Sequence, residues 1–248
     1  MTARPSAMLS ARPSAMLSVS GLESGYGPGA VLHGVDFELR AGRVTALMGR
    51  NGMGKTTFLK TVMGLLPARA GAIVFDGHDI AGLPPHRIAR AGLGYVPQGR
   101  EVFDDFTVAE NLRLSLLGHL GKAKSVPERV LAWFPILAER AQQRAGTLSG
   151  GQQQMLAIGR ALAADPKMLL LDEPTEGIQP SIVHEIGETL ARIARETGLT
   201  VLVVEQNVDL VLTVADEVAF MDNGAIVETT SAAALARDDT ILARHLSL

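Results

Sequence analysis

Cysteine is absent from the 248-residue chain, which excludes disulfide frameworks, thiolate zinc sites and thiol nucleophiles. Long apolar runs are missing as well: no uninterrupted stretch approaches the roughly 18 residues that a membrane-spanning helix needs. Positive charge is not in excess, because 23 basic and 26 acidic side chains give a net charge of −3. A surface for duplex nucleic acid is therefore not expected. The hydrophobic fraction of 47% is enough to bury the core of one large domain or two small ones.

The amino-terminal residues contain a duplication, because residues 3–10 and 11–18 have the same sequence, ARPSAMLS. The abundance of Ala, Ser and Arg without an acidic residue is compatible with a transit peptide. However, Pro5 and Pro13 would interrupt the helix that a targeting peptide forms. We therefore interpret residues 1–16 as a disordered, duplicated leader, dispensable over about its first 15 residues, followed by one domain over residues 17–248.

Strand and helix patterns alternate along the rest of the chain, which predicts an α/β fold. The apolar runs 44–48, 168–171 and 201–204 are typical of strands buried on both faces of a sheet. Residues 73–75 form a further short strand pattern, and the Asn223-Gly224 pair predicts a hairpin between residues 218–221 and 225–227. From about residue 101 to residue 164 helical patterns dominate, indicating an inserted helical subdomain. One helix is expected after Ser231.

The strongest chemical motif lies between the first of these apolar runs and a helical segment, and it matches G-x-x-x-x-G-K-[ST]. Glycines at this point let successive N–H groups converge on phosphate oxygens at the positive end of the following helix. The lysine can bridge phosphates, and the next hydroxyl can ligate Mg²⁺. The segment predicts a phosphate-binding loop (P-loop) made of Gly49, Arg50, Asn51, Gly52, Met53, Gly54, Lys55, Thr56 and Thr57.

Two acidic residues, Asp172 and Glu173, follow the apolar run 168–171. A P-loop enzyme needs a carboxylate on the Mg²⁺ side and a second group that orients the attacking water. We expect Asp172 to serve the metal and Glu173 to polarise the water. Acidic residues at strand ends are also common helix caps, so the pair is informative mainly because the P-loop accompanies it.

A second small, flexible segment opens a helix predicted from Gln152 to about Ala164, and it provides another anion-binding helix start. It lies nearly a hundred residues from the P-loop and lacks a lysine. The sequence therefore suggests that each nucleotide is held between the P-loop of one copy and this segment of another. Its residues are Ser149, Gly150, Gly151 and Gln152.

With these motifs in this order, the chain resembles the nucleotide-binding subunit of an ATP-binding cassette (ABC) transporter from Leu17 to its end. The resemblance implies a P-loop ATPase core of the RecA type, an antiparallel β subdomain and a helical subdomain, with ATP and Mg²⁺ as cofactors. Tyr26 resembles the aromatic residue that stacks on adenine, and Gln98 the glutamine that reaches Mg²⁺ and the water. Ser149 and Gly151 resemble the positions that contact the γ-phosphate of the opposite protomer.

The resemblance also implies partners and a location. These are transmembrane permease subunits, a second ATPase subunit that is identical or different, and indirectly a periplasmic or extracellular solute-binding protein, but no nucleic acid. The chain would then lie at the cytoplasmic face of the cell membrane.

Two positions depart from the common pattern of the family. Gln206 stands where most of these ATPases have a histidine; its amide can donate a hydrogen bond but cannot carry a titratable proton. We expect it to position groups at the catalytic site. Gln179 stands where many relatives have an aspartate, which puts communication between the two sites of a dimer in question.

Both departures resemble importer ATPases for branched-chain amino acids and, in a sister group, for urea and short amides. The stretch from Thr175 to Ile182 is more similar to the urea type, which we expect here, with branched-chain amino acids as the alternative. The solute never touches this chain, so its identity rests on family analogy alone.

Two other functions remain open. A cytosolic ABC protein without a role in transport usually fuses two cassettes or carries long arms, and this chain has one cassette without a coiled-coil insert. A P-loop GTPase should contain a guanine-reading Asn/Thr-Lys-x-Asp motif, which the sequence lacks, and a P-loop kinase has no use for the serine–glycine segment.

The helical subdomain has two interpretations of its own. Trp133 is expected to anchor it as a core residue. In the second interpretation, a groove for a short helix of the membrane subunit is formed by Phe103, Phe106 and the run beginning at Thr107.

Overall fold

The computed structural model describes residues 15–117 and 125–246. Its strands and helices alternate as the sequence patterns predict, which confirms an α/β fold. The strands are β1 (Ala15–Ser24), β2 (Leu32–Arg40), β3 (Val44–Met48), β4 (Ala68–Phe75), β5 (His78–Asp79), β6 (Leu93–Val96), β7 (Met168–Asp172), β8 (Thr200–Val204), β9 (Glu217–Asp222) and β10 (Ala225–Ser231). The helices are α1 (Lys55–Val62), α2 (Pro85–Ala91), α3 (Val108–Leu117), α4 (Glu128–Trp133), α5 (Pro135–Glu139), α6 (Gly150–Ala163), α7 (Pro180–Thr197), α8 (Val208–Val214), α9 (Ala232–Leu235) and α10 (Asp239–Leu246).

The strands form two sheets. A six-stranded sheet has the order β10-β9-β3-β8-β7-β6, and every neighbouring pair in it is parallel except the β9–β10 hairpin. A four-stranded antiparallel sheet has the order β2-β1-β4-β5. The two sheets correspond to the ATPase core and the antiparallel subdomain expected from the resemblance.

The central strands of the six-stranded sheet are apolar on both faces because both faces are covered. In β7, Leu169 and Leu171 belong to a hydrophobic cluster shared with α6, α7 and α8. Met168 and Leu170 of the same strand belong to a second cluster, shared with α1 and the antiparallel sheet. The alternation of successive side chains along a strand therefore places the large sheet between helices on one face and a second sheet on the other.

Helix α7 shows how sequence fixes an element that supports the site. Pro180 occupies its first turn, where a missing N–H costs nothing. Gly198 ends it in a left-handed conformation with φ 69°. Ile186, Leu190 and Ile193, spaced for one helical face, are buried. No helix within residues 15–117 and 125–246 is both long enough and apolar enough to cross a membrane.

Several boundaries differ from the sequence-based expectation. Strand β1 begins at Ala15, two residues before the expected start of the domain, and the carbonyl of Met16 accepts a hydrogen bond from the N–H of Asp76. The rest of the proposed leader, residues 1–14, lies outside the described residues. Strand β4 covers eight residues where three were expected, because its first half pairs with β1 without an apolar pattern of its own. Two short helices, α9 and α10, replace the single carboxyl-terminal helix.

Candidate functional site

The carboxyl ends of four parallel strands meet at one edge of the six-stranded sheet, where ligands bind in open α/β sheets. Strand β3 leads into the P-loop at Gly49, and β7 ends at Asp172. Strand β8 leads to Gln206, and β6 leads to Gln98. The topology therefore gathers at one edge residues that are up to 157 positions apart in the sequence.

The P-loop has the backbone conformation that its glycines were expected to permit. Gly49, Gly52 and Gly54 all have positive φ, at 151°, 82° and 105°, in a region that residues with a Cβ avoid. A Cβ on Gly49 would lie 2.3 Å from the carbonyl oxygen of Met221, whereas a Cβ on Gly52 would meet nothing within 4 Å. The first glycine thus allows a close approach to β9, and Gly52 leaves open space on the side where phosphate would bind.

Met53 and Arg50 take part in the internal bonding of the loop. The sulfur of Met53 accepts a hydrogen bond from the N–H of Asn223 at 3.4 Å, and its carbonyl accepts one from Gly224 at 3.0 Å. Arg50 is exposed, and its carbonyl contributes to the loop's internal bonding. These two members of the motif help to hold the loop in place, and their expected contact with a phosphate stays a prediction.

Lys55 is only 4% exposed, and its Nζ donates to the carbonyls of Gly49 (2.7 Å) and Arg50 (3.0 Å). The same amine lies 3.9 Å from Oε1 of Glu173. Burial lowers the pKa of Lys55, and the neighbouring carboxylates of Glu173 and Asp172 oppose that shift. The neighbouring carboxylates compensate the burial of this amine only in part, and a bound phosphate would supply further negative charge.

Asp172 is almost fully buried and binds two hydroxyl groups. Its Oδ1 accepts from Thr56 Oγ1 at 3.0 Å, and its Oδ2 accepts from Tyr95 Oη at 3.3 Å. Burial raises the pKa of Asp172, partly offset by the hydrogen bond from Thr56. Burial followed by the charge of Asp172 also raises the pKa of Tyr95, which keeps its hydroxyl a donor.

The donor set at Thr56 and Asp172 fits Mg²⁺. A hydroxyl oxygen and a carboxylate oxygen lie within 3.0 Å of each other, and both are hard oxygen ligands. Within the described part of the chain, no group of three or more His, Asp or Glu side chains is arranged to hold a metal. Mg²⁺ usually takes one or two protein ligands and completes its shell with phosphate and water oxygens.

Glu173 is oriented by two amide side chains, one for each carboxylate oxygen. Gln98 Nε2 donates to its Oε2 at 3.2 Å, and Gln206 Nε2 donates to its Oε1 at 3.2 Å. Gln98 also donates to Glu176 at 2.9 Å, and Gln206 to Asn51 at 2.6 Å. Glu173 itself has a positive φ of 46°, a strained conformation that is often found at functional sites.

A cavity of 290 Å³ lies over these groups. It is lined by eight of the expected site residues, namely Asn51, Gly52, Gly54, Lys55, Thr56, Thr57, Gln98 and Glu173, together with Val31 and Glu176. Tyr26, half-exposed in the loop after β1, is not part of that lining, and neither is Gln206, which reaches the site through Glu173. The tyrosine ring is therefore exposed on the solvent side, where an aromatic ring could stack on it.

The serine–glycine segment opens α6, as expected, but the helix begins at Gly150 and not at Gln152. Ser149 is the N-cap: its Oγ accepts from the N–H of Gln152, and the Gln152 side chain accepts from the N–H of Ser149. The two form a capping box. Gly151 is buried, and a Cβ on it would lie 2.5 Å from Ile182 of α7. None of the four lines the 290 Å³ cavity, so the chain does not bring them to its own P-loop.

A larger apolar groove of 740 Å³ lies between β6 and the helical subdomain. Phe103, 51% exposed, lines it together with Leu93, Tyr95, Leu114 and Arg160. Phe106 and Thr107 were expected in this groove and do not line it. Phe106 stacks on Phe103 at 5.6 Å between ring centroids, and Thr107 is occupied in capping α3 through Glu110. Trp133 is 9% exposed and packs in the helical core, as its first interpretation predicted.

Sequence reasoning missed three residues that organise the site. They are Tyr95, which reaches Asp172; Arg100, whose Nη2 donates to the carbonyl of Glu176 at 3.1 Å; and Glu205, buried beside Gln206. The only available signals were local: a tyrosine and an arginine close to Gln98, and a charged residue directly after an apolar strand. None of these signals indicates which residue each of the three would contact.

Comparison with known proteins identifies the family. The ABC transporter family model matches residues 32–176. The chain is 44% identical over 211 residues to the high-affinity branched-chain amino acid transport ATP-binding protein BraG of Pseudomonas aeruginosa, covering 85% of this chain and 90% of that protein. It is 36% identical over 208 residues to a probable branched-chain amino acid transport ATP-binding protein, LivF, of Archaeoglobus fulgidus, covering 83% and 87%.

Solved structures agree with these relatives. A nucleotide-free ATP-binding cassette from an ABC transporter has a TM-score of 0.81 and 27% identity, and the match covers 92% of this chain and 98% of that one. A dimeric cassette in a post-hydrolysis state with bound ADP and Pi has a TM-score of 0.79 and 25% identity, covering 88% and 99%. With its P-loop, its paired acidic residues and these relatives, the chain belongs to the ABC transporter family and is an ATP-binding cassette that hydrolyses ATP.

Proposed function

We propose that the chain is the ATP-hydrolysing subunit of an importer of branched-chain amino acids, bound to transmembrane permease subunits at the cytoplasmic face of the cell membrane. The observation that supports this choice of solute is the similarity to relatives described as branched-chain amino acid transport proteins, at 44% and 36% identity over most of both chains. The stretch from Thr175 to Ile182 favoured urea, with branched-chain amino acids as the alternative. The relatives support that alternative better.

The geometry supports a division of work among the site residues. Lys55 and the N–H groups of the P-loop would bind the phosphates, and Thr56 and Asp172 would hold Mg²⁺, which supplies neutralising charge to the transferred phosphoryl group. Glu173, fixed by the amides of Gln98 and Gln206, would accept hydrogen bonding from the attacking water. Tyr26 would stack on the adenine. Catalysis would then consist of positioning and charge stabilisation.

Two copies of the cassette would complete the site. Ser149, Gly150, Gly151 and Gln152 do not face the cavity of their own chain, which is the arrangement expected if they contact nucleotide bound to a partner. Pseudomonas aeruginosa has two relatives with the same description, BraG and BraF, at 44% and 32% identity to this chain. We therefore propose a second, different ATPase subunit beside this one, with a solute-binding protein acting indirectly and no nucleic acid.

The apolar groove supports the proposal that this chain contacts a transmembrane subunit. Phe103 in its lining is half-exposed, and a contiguous apolar surface around such a residue would suit a protein–protein contact. Arg160 lies in the groove with its guanidinium 5.4 Å from the Phe103 ring centroid. One of its nitrogens, Nη1, is buried without a hydrogen-bond partner in the part of the chain that the structure describes.

Uptake in cells tests the proposal. In a strain that lacks the gene for this chain, uptake of labelled leucine, isoleucine and valine should be lost and should return with the wild-type protein. The Lys55→Ala variant should fail to restore it, because it removes the buried phosphate-binding amine. Urea uptake, measured in parallel, is the control and should not change. Loss of urea uptake with intact leucine uptake would contradict the assignment and support the urea alternative.

A further inference from the structure

Glu205 is a buried carboxylate with no assigned part in the chemistry described above. It follows β8 directly and is 3% exposed. A buried charge is costly unless hydrogen bonds compensate it, so its partners indicate what it does. The neighbouring Gln206 and Asn207 have evident tasks of their own, because Gln206 contacts Glu173 and Asn207 caps α8 through the N–H of Leu210.

The carboxylate of Glu205 accepts four hydrogen bonds, two on each oxygen. Oε1 accepts from the N–H of Thr175 at 2.9 Å and from its hydroxyl at 2.5 Å. Oε2 accepts from the N–H groups of Gln206 at 2.9 Å and Asn207 at 3.1 Å. An ionised carboxylate is the side chain that only accepts and can take two donors on each oxygen. Charge-assisted bonds of this kind are about twice as strong as neutral ones.

The two bonds from Thr175 join the loop after β7 to the loop after β8, and the two bonds from Gln206 and Asn207 fix the carboxylate within its own loop. Thr175 lies two residues after Glu173, and Gln206 lies one residue after Glu205 itself. The side chains of Glu173 and Gln206 meet at 3.2 Å, on the open side of the same two loops. The carboxylate therefore sets the distance between the backbone segments that carry the two partners.

We propose that Glu205 is a positioning residue for ATP hydrolysis: it clamps the loop after β7 to the loop after β8, so that the Gln206 amide holds Glu173 in its reactive orientation. Because Gln206 cannot carry a titratable proton, its contribution depends on placement, and the clamp supplies that placement. The inference rests on the proposed roles of Glu173 and Gln206, which substitutions at those two residues test independently.

The first test is Glu205→Gln, which keeps the size of the side chain. The new amide must turn its NH₂ group toward backbone N–H donors, either that of Thr175 or those of Gln206 and Asn207. At least one loop then loses its acceptor. Since a misplacement of about 1 Å can cost about 10²-fold in rate, we expect kcat for ATP to fall by at least about tenfold, while KM for ATP stays close to the wild-type value.

A double-mutant cycle distinguishes positioning from simple scaffolding. If Glu205 acts through Gln206, Glu205→Gln should cost much less in the Gln206→Ala background than in the wild type, because groups that act as a unit are not additive. Gln206→Ala alone should lower kcat. An equal loss of kcat in both backgrounds overturns the proposal, as does a folded Glu205→Gln protein with wild-type kcat.

A matched pair at Thr175 keeps the test decisive if Glu205→Gln does not fold. Thr175→Val removes the hydroxyl donor at nearly constant shape, whereas Thr175→Ser retains it. We expect kcat of the valine variant to fall severalfold and that of the serine variant to stay near the wild type, with thermal denaturation showing that both are folded. Equal kcat values for the two variants overturn the proposal. If Glu173→Gln hydrolyses ATP normally, the proposed catalytic assignment fails instead, a result distinct from these.

Discussion

At the scale of single residues, the carboxylate of Glu173 carries most of the proposed chemistry, and three different segments hold it. Gln98 and Gln206 each donate to one of its oxygens, and the amine of Lys55 lies 3.9 Å away. Its own backbone is held in a left-handed conformation by a hydrogen bond from its N–H to the carbonyl of Val204 at 2.9 Å. A side chain fixed from this many directions is pre-organised for one geometry.

Replacing Glu173 by glutamine tests this role. The amide keeps the shape of the side chain but cannot act as a base, so we expect turnover to fall by at least ~10², with nucleotide binding retained. ATP hydrolysis measured by phosphate release and binding measured by calorimetry check the two parts. Glu176→Gln is the matched control, because Glu176 also accepts from Gln98 and lines the same cavity. Its loss of turnover should be far smaller. An unaltered rate in Glu173→Gln would remove the assignment.

The residues of the P-loop could be found from the sequence because their spacing is local and their chemistry is specific. Glu205, Tyr95 and Arg100 could not, because each acts on a partner that is distant in the chain. Glu205 reaches Thr175 across 30 positions, Tyr95 reaches Asp172 across 77, and Arg100 reaches Glu176 across 76. A charged residue after an apolar strand gives no sign of which loop will face it. Only the strand order of the folded sheet shows that.

At the scale of elements, the P-loop depends on its packing against the end of β9. The space at Gly49 is filled by the carbonyl of Met221, 2.3 Å from where a Cβ would be. We expect Gly49→Ala to lower the free energy of unfolding by about 1–3 kcal/mol through overpacking, beyond the roughly 1–2 kcal/mol that a left-handed alanine costs. The loop would move to relieve the clash, so ATP affinity should fall as well.

Gly77→Ala is the matched control for this prediction. Gly77 has a positive φ of 76°, but a Cβ on it would meet nothing within 4 Å. It therefore carries the backbone cost alone, and ATP affinity should not change. Urea denaturation and nucleotide titration of both variants measure the difference. Equal unfolding free energies and equal affinities would show that the contact with Met221 does not shape the loop.

Elements with a strong local pattern were predictable, and those formed by pairing were less so. The runs that became β3, β7 and β8 are almost entirely apolar because both faces are buried. By contrast, the first half of β4 is made of Ala, Arg and Gly, and only its antiparallel partner β1 makes it a strand. The start of α6 was expected two residues too late. Glycine is a poor helix former, so the two glycines that follow the Ser149 cap did not indicate a first helical turn.

At the scale of the whole molecule, the P-loop and the serine–glycine segment are the two proposed half-sites of one chain, and none of residues 149–152 lines the cavity over the P-loop. The P-loop side opens at the edge of the six-stranded sheet, and the serine–glycine segment lies at the start of α6 in the helical subdomain. We expect the Glu173→Gln protein to dimerise when MgATP is added, because nucleotide would join the two kinds of half-site and hydrolysis would not separate them. Sedimentation with and without MgATP measures this. A protein that stays monomeric at every concentration, alone and with its membrane partners, would contradict the shared-site proposal.

Two serine N-caps offer a matched pair for the dimer. Ser149 caps α6 and Ser231 caps α9, each through its side-chain oxygen. Losing such a cap costs about 1 kcal/mol in either case, so Ser149→Arg and Ser231→Arg should have similar stabilities. We expect only Ser149→Arg to prevent the MgATP-dependent dimer, because its bulk would lie where the partner's nucleotide binds. Dimerisation of both variants alike would exclude that surface.

The internal contacts of Lys55 have a thermodynamic consequence. Its amine donates hydrogen bonds to the carbonyls of Gly49 and Arg50. The P-loop is therefore already folded around the ammonium group before a phosphate binds. The conformational entropy of the loop is lost when the protein folds and not when ligand docks, which favours tight and rapid capture. The same closure sets a threshold for selectivity: a weak oxyanion must compete with two carbonyl oxygens for the ammonium group, and a polyphosphate with several charged oxygens competes far better.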